Sequence, residues 1–277
     1  MANDTRERPE DQPTAEGLAE ATTDFLIEGD PFERREADET ARERSPDVHV
    51  YRTGTTKRVC RTDTRGFPQP QGRSPLEIVV DASGGFVPLW EPNSVLRYRF
   101  QRRSMAQFRN PEAAKAAIRR LMGEALMAWG DAAPVRFAER SSACDFEIVV
   151  RNADDCDLNG CVLASAFFPD QGQHELTIYP KMFQQSRQEQ VETLVHEIGH
   201  IFGLRHFFAL VSESAWPAHV FGTHDRFTIM NYGGDSRLTD ADRADLRALY
   251  QQVWNGTINN VNGTPIRLMR PYSANRP

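Results

Sequence analysis

The sequence predicts an α+β fold, a mixed twisted sheet of about five strands packed with three helices. Two observations carry this expectation. Five short segments with strand-like patterning lie between residues 95 and 179. Three longer segments place apolar residues at helical spacing, over 111–129, over about 188–203, and from Thr239 onward.

The first strand is Val95-Leu96-Arg97-Tyr98-Arg99-Phe100, which alternates apolar and polar residues. Pro111 then opens the long second helix of the fold, with Ala114, Ala117, Ile118, Leu121, Leu126 and Trp129 on one stripe. Val135-Arg136-Phe137 and Phe146-Glu147-Ile148-Val149-Val150 are the next two strands, and residues 162–168 and 176–179 complete the sheet. A helix from about Gln188 to Gly203 turns Val191, Leu194, Val195 and Ile198 toward that sheet. The last helix begins at Thr239. Thr239-Asp240-Ala241-Asp242 is close to a capping box, with Asp replacing the usual Glu or Gln. Leu246, Leu249 and Tyr250 form its core stripe.

Around these elements the chain divides into four parts. Residues 1–48 are charged and poor in periodic apolar pattern, so they are expected to be largely disordered. Residues 49–87 mix β-prone pieces with Gly and Pro and read as a pro-segment or linker. The compact domain spans 88–254, and 255–277 is a Gly/Asn/Pro-containing extension expected to wrap the surface.

Charge follows this division. Residues 1–46 hold 14 acidic and 6 basic side chains, a balance of −8, so the rest sums to +2 within a chain total of −6. No part carries the basic stripe of a nucleic-acid binder. No apolar run approaches 18 residues, so no membrane span is expected. The start, Met1-Ala2-Asn3-Asp4-Thr5-Arg6-Glu7, has no apolar h-region behind it. Retention in the cytoplasm, export by another route, and a leader missing from this sequence all fit. Four cysteines are present. Cys156 and Cys161 bracket the turn-forming Asp157-Leu158-Asn159-Gly160, where a small disulfide loop is one option and four reduced thiols the other.

The chemistry is concentrated at residues 196–206, His-Glu-Ile-Gly-His-Ile-Phe-Gly-Leu-Arg-His, a complete HExxHxxGxxH string. His196 and His200 are four apart and share a helix face, where their imidazoles can grip one Zn²⁺. Glu197 projects beside that metal, as a general base must. Gly203 can end the helix in a left-handed conformation, which lets His206 return as third ligand. Three protein ligands leave one position open for water, the mark of a catalytic rather than a structural zinc. Further on, Thr228-Ile229-Met230-Asn231-Tyr232 places Met230 24 residues beyond His206.

With both strings present, residues 88–252 resemble the metzincin zinc endopeptidases, whose zincin fold is the α+β architecture described above. The resemblance makes 228–232 a Met-turn under the zinc and the 188–203 segment the active-site helix. Leu163-Ala164-Ser165-Ala166-Phe167, Leu238-Thr239-Asp240-Ala241-Asp242 and Leu249-Tyr250 are matrixin-like. Tyr232, two after the Met, is placed as in astacins and serralysins. Phe207, after the third ligand, matches no usual subfamily residue.

The resemblance implies one catalytic zinc ion, a polypeptide substrate, and hydrolysis of peptide bonds by a zinc-bound water with Glu197 as general base. Tyr232, by likeness to astacins, would ligate zinc at rest and donate a hydrogen bond in the transition state. The strand at 163–167 would take an extended peptide along its edge, favouring an endopeptidase. A second, structural zinc is not expected, since His174 is the lone histidine in the relevant stretch, and calcium is not predicted. His219 and His224 read as surface or hydrogen-bonding residues. The protein is expected to be a monomer. Latency, if present, would come from Asp30, in a Gly-Asp pair like the astacin aspartate switch, or from Cys60 as a thiolate switch. The contrasting reading is a zinc-fold binding or toxin-like module without proteolysis.

Overall fold

The computed structural model describes residues 29–35, 51–53, 56–60, 78–82, 85–157, 160–206, 218–221, 229–230 and 237–275. In chain order the first half runs β1 (Tyr51–Thr53), β2 (Thr56–Cys60), β3 (Ile78–Asp81), β4 (Val87–Trp90), β5 (Val95–Phe100), α1 (Arg102–Met105), α2 (Pro111–Trp129), β6 (Arg136–Glu139) and β7 (Phe146–Val150). The second half runs β8 (Cys156–Asp157), β9 (Gly160–Ser165), β10 (His174–Ile178), α3 (Pro180–Phe183), α4 (Arg187–Ile201), β11 (Ala218–Phe221), α5 (Asp240–Trp254), β12 (Asn260–Val261) and β13 (Thr264–Met269).

The five expected strands are the centre of the main sheet, in the order β9-β10-β7-β5-β6. β10, β7, β5 and β6 are parallel, and β9 runs antiparallel to β10, so the sheet is mixed as expected. Beyond the expectation, β1 and β2 extend it past β9, and β8 pairs with β9 as well. The strand read over 162–168 ends at Ser165, and residues 166–168 leave the sheet.

Local sequence explains the helices. α2 starts where Asn110 accepts a hydrogen bond from the Ala113 N–H and Pro111 supplies a first-turn residue that has no N–H to lose. Its buried face, including Ile118, Leu121, Met122 and Trp129, packs on α4. α4 starts one residue before the expected Gln188 because Ser186 and Glu189 form a full capping box. The residues of that box are plain in the sequence, but the apolar stripe alone does not point to them. α5 begins as expected, with Thr239 as cap and Asp242 completing the box.

The core lies between the sheet and α2, α4 and α5 and is continuous with Leu89, Leu96, Phe146, Ile148, Leu176, Ile198 and Leu249, all fully buried. The C-terminal extension is tied into this body. β13 pairs in parallel with β4. Ser273 donates through its N–H (2.7 Å) and hydroxyl (2.8 Å) to the buried Asp145 carboxylate, which also accepts from the Arg97 N–H. Nothing in local periodicity signals a pairing across so many residues.

Candidate metal centre

α4 carries His196, Glu197 and His200 on its buried C-terminal half. The helix stops at Ile201. Gly203 then adopts φ +93° and its N–H bonds to the His200 carbonyl, while the Leu204 N–H bonds to that of Gly199. This is the left-handed exit expected at Gly203. A side chain there would also meet the Pro88 carbonyl at 3.2 Å. The turn brings His206 back beneath the helix, and His196, His200 and His206 are all buried, with their ligand atoms within 4.8 Å of one another.

Hydrogen bonds set the state of two of the rings. His196 Nδ1 lies 2.7 Å from the Ile229 carbonyl oxygen, and His200 Nδ1 lies 2.8 Å from that of Leu204. A carbonyl only accepts, so each Nδ1 carries a proton there and Nε2 is the ring nitrogen turned toward the other histidines. Those two Nε2 atoms are 3.1 Å apart, and His206 Nε2 is also 3.1 Å from His196 Nε2. Three convergent imidazole nitrogens suit zinc. The donor set therefore fits the metal that the motif implies.

Large side chains fix the helix that presents these rings. Trp129 Nε1 donates to the Val195 carbonyl at 3.0 Å and Trp90 Nε1 to the Ile201 carbonyl at 2.7 Å. The Tyr250 hydroxyl donates to the Phe202 carbonyl at 3.0 Å. The last two are carbonyls that a helix end leaves without intrahelical partners. Burial pushes the Tyr250 phenol far above its ordinary range, so it stays protonated and able to donate. Tyr250, expected to be core, is thus core with a second role at the site.

Ile229 and Met230 sit in a buried turn below α4. A Cβ on Gly199 would lie 2.6 Å from Met230 Sδ and 3.3 Å from Trp129 Cζ2, so the methionine packs against the bare backbone of the helix between the two histidines. The turn is held from α5. The Ile229 N–H donates to the Asp242 carboxylate, and the Ile229 carbonyl receives His196 Nδ1–H. Burial raises the Asp242 carboxyl to about 6, against the opposing effect of its hydrogen bonds from Thr239 and Ile229. The sequence resemblance places Ile229 and Met230 in the turn but does not reveal the link from Asp242 through Ile229 to His196, because that link runs through backbone atoms.

The other expected residues fall as follows. Glu197 is buried beside the histidines, 2% exposed. Phe168 packs its ring edge-on to His200 at 5.5 Å, and the fully buried Arg205 lies over Phe168 at 5.8 Å. Tyr232, Phe207 and His224 lie outside the described residues, and of Cys60 and His219 only the backbone, in β2 and β11, is described. Asp30 is exposed, and its carboxylate accepts from the Phe32 N–H at 2.9 Å. Cys156 and Cys161 form a disulfide, while Cys144 is a buried free thiol. His174 stacks on Phe167 with ring centroids 4.5 Å apart.

Fold and histidine centre together define a metzincin-like zinc metallopeptidase. A matrixin family model matches residues 89–251, more than half of the chain, and the chain belongs to that family. No curated protein matches it. Among solved structures, one of myroilysin aligns with 14% identity over 62% of this chain and 98% of its own, at a TM-score of 0.39. A second, a crystal structure of myroilysin, aligns with 12% identity over 67% and 99%, also at 0.39. No helix among the described residues is long and apolar enough to cross a membrane.

Proposed function

We propose that the chain is an endopeptidase that binds one zinc ion through His196, His200 and His206 and cuts extended polypeptides. The observation that carries this reading is the convergence of three buried imidazoles, two of them oriented by carbonyl partners at Nδ1. When bound there, zinc supplies a positive charge that acidifies an attacking water and polarises the scissile carbonyl. The Ile229 and Leu204 carbonyls hold the His196 and His200 rings with Nε2 turned inward. Glu197 takes the proton of the attacking water and passes it to the leaving amine. Its burial beside the histidines keeps bulk water from competing for that role. Tyr232 stabilises the developing negative charge by donating its hydroxyl proton in a hydrogen bond.

Substrate pairs along β9. In this structure that edge is covered by β2, which runs parallel to it with Arg58 opposite Cys161, Val59 opposite Val162 and Cys60 opposite Ala164. An uncovered strand edge is a row of unpaired backbone groups, so either β2 or a substrate strand satisfies it. This competition supports a latent form in which 49–87 acts as pro-segment, 88–254 as the protease domain and 255–277 as its extension. The active protein acts as a monomer on protein substrates.

Replacing Glu197 by Ala tests the mechanism. The Glu197→Ala chain should fold and bind zinc to the same stoichiometry, measured by elemental analysis, while hydrolysis of an unfolded protein such as casein falls by about 10²- to 10⁴-fold. Undiminished hydrolysis by that variant would remove Glu197 from the reaction.

A further inference from the structure

Residues 29–35 dock on the body far from their sequence neighbours. Arg34 bridges Phe108 as a one-pair antiparallel ladder, with the Arg35 N–H on the Gln107 carbonyl and the Arg109 N–H on the Glu33 carbonyl, both at 2.9 Å. Phe32 stacks flat on Phe183 of α3 with ring centroids 3.8 Å apart and meets the edge of Phe108 at 6.2 Å. The Arg34 guanidinium donates to two carbonyls, those of Arg151 (2.8 Å) and Asn152, and lies over the Phe108 ring. Glu33 pairs with Arg109 at 2.6 Å. Three consecutive side chains thus each have a partner of matching chemistry.

The receiving residues also hold one another in place. Phe108 and Phe183 contact each other edge-to-face at 6.2 Å, and the Phe108 N–H is held by the Met105 carbonyl. At the end of β7 the Arg151 N–H bonds to the Ile178 carbonyl, and the Arg151 carbonyl is the one that accepts from the Arg34 guanidinium. Asp154, beside this strand end, adds negative charge near the guanidinium. We propose that this surface is a peptide-binding site separate from the histidine centre, filled in cis by Phe32-Glu33-Arg34 and selective for an aromatic residue followed two positions later by arginine. It shares no residue with the metal centre and stands whether or not the chain cuts peptides.

Vacating the site in the full-length chain tests this. The Phe32→Ala/Arg34→Ala double variant keeps every receiving residue. A fluorescent peptide copying residues 29–35 should bind it saturably by anisotropy. The same peptide should bind the parent at least tenfold more weakly, because the tethered copy competes at an effective concentration on the order of millimolar. If the double variant does not fold, Arg34→Ala alone, which removes the half-buried guanidinium and leaves Phe32 intact, takes its place, and the peptide should bind it more tightly than the parent. Charge exchange sharpens the assignment. A peptide with Glu33→Arg should prefer a vacated chain that also carries Arg109→Glu, and the original peptide should prefer Arg109. Absence of saturable binding, equal binding to parent and vacated chain, or indifference to the charge exchange would overturn the proposal. So would a parent whose mass doubles with concentration and halves on vacating the site, since the segment would then belong to a neighbouring copy.

Discussion

Two helices in this protein begin with the same device and put it to different use. α4 opens with Ser186 and Glu189, α5 with Thr239 and Asp242, and each pair closes both hydrogen bonds of a capping box. The α4 box faces solvent. It starts the helix about ten residues and roughly 15 Å from His196. Asp242 is 1% exposed, and besides Thr239 its carboxylate takes the Ile229 N–H, whose carbonyl orients His196. The same four-residue signature is therefore a local start signal in one helix and a support for the metal centre in the other. Burial makes the difference.

The sharpest way to break this comparison is by pH. Burial holds the Asp242 carboxyl at about 6 in the folded chain, against 3.8 for the ordinary group. The folded state thus keeps a proton over a window in which the unfolded state has released it. The stability from that proton is complete below pH 3.8 and is lost as pH rises through 6. Two pH units correspond to about 3 kcal/mol. The amide in an Asp242→Asn variant would carry no such dependence while keeping one acceptor oxygen for Thr239 or Ile229. The stability of Asp242→Asn relative to the parent should therefore increase by about 2.5 kcal/mol from about pH 4 to about pH 7, measured by urea unfolding. A difference that stays flat would mean the carboxyl is not held as the structure has it.

The second prediction concerns the contact that α5 steadies through Ile229 and Met230. Gly199→Ala puts a methyl group 2.6 Å from Met230 Sδ and 3.3 Å from the Trp129 ring. The overpacking should cost about 2 kcal/mol in thermal or denaturant unfolding. In a Met230→Ala background the same change should cost less, because the sulfur it meets is gone. An equal cost in both backgrounds would detach the methionine from the helix it underlies.

How far all this is legible depends on whether side chains or backbone atoms do the work. The histidine string and Gly203 are read from residue type and spacing, and Met230 from the resemblance to the Met-turn. The five central strands follow from period-two patterning in Val95–Phe100 and from the apolar run Phe146–Val150. What orients the site is less visible. Ile229 acts through a carbonyl that any residue possesses, and Trp90, Trp129 and Tyr250 reach backbone carbonyls of α4 and its exit from elements distant in sequence. The pairing of β4 with β13, and of β2 with β9, joins distant segments that carry no mark of each other. Ser186-Arg187-Gln188-Glu189, by contrast, is readable as a box. An apolar stripe marks where a helix buries a face, not where it starts, so the stripe alone puts the first residue too late.

That solvent-facing box gives the smallest of the expected effects and a direct test of the contrast between the helices. Ser186→Ala removes the hydroxyl that accepts the Glu189 N–H at 3.3 Å, and leaves the Ser186 N–H free to keep its bond to the Glu189 carboxylate. The lost cap should cost about 1 kcal/mol of stability. Because the first turn of α4 frays without disturbing the half held by Trp129, Trp90 and Tyr250, zinc affinity measured by competition with a chelator should stay within about twofold of the parent, a shift of under ~0.5 kcal/mol. A tenfold loss of affinity would show that the exposed box is coupled to the histidines after all, and the distinction drawn between the two helices would fail.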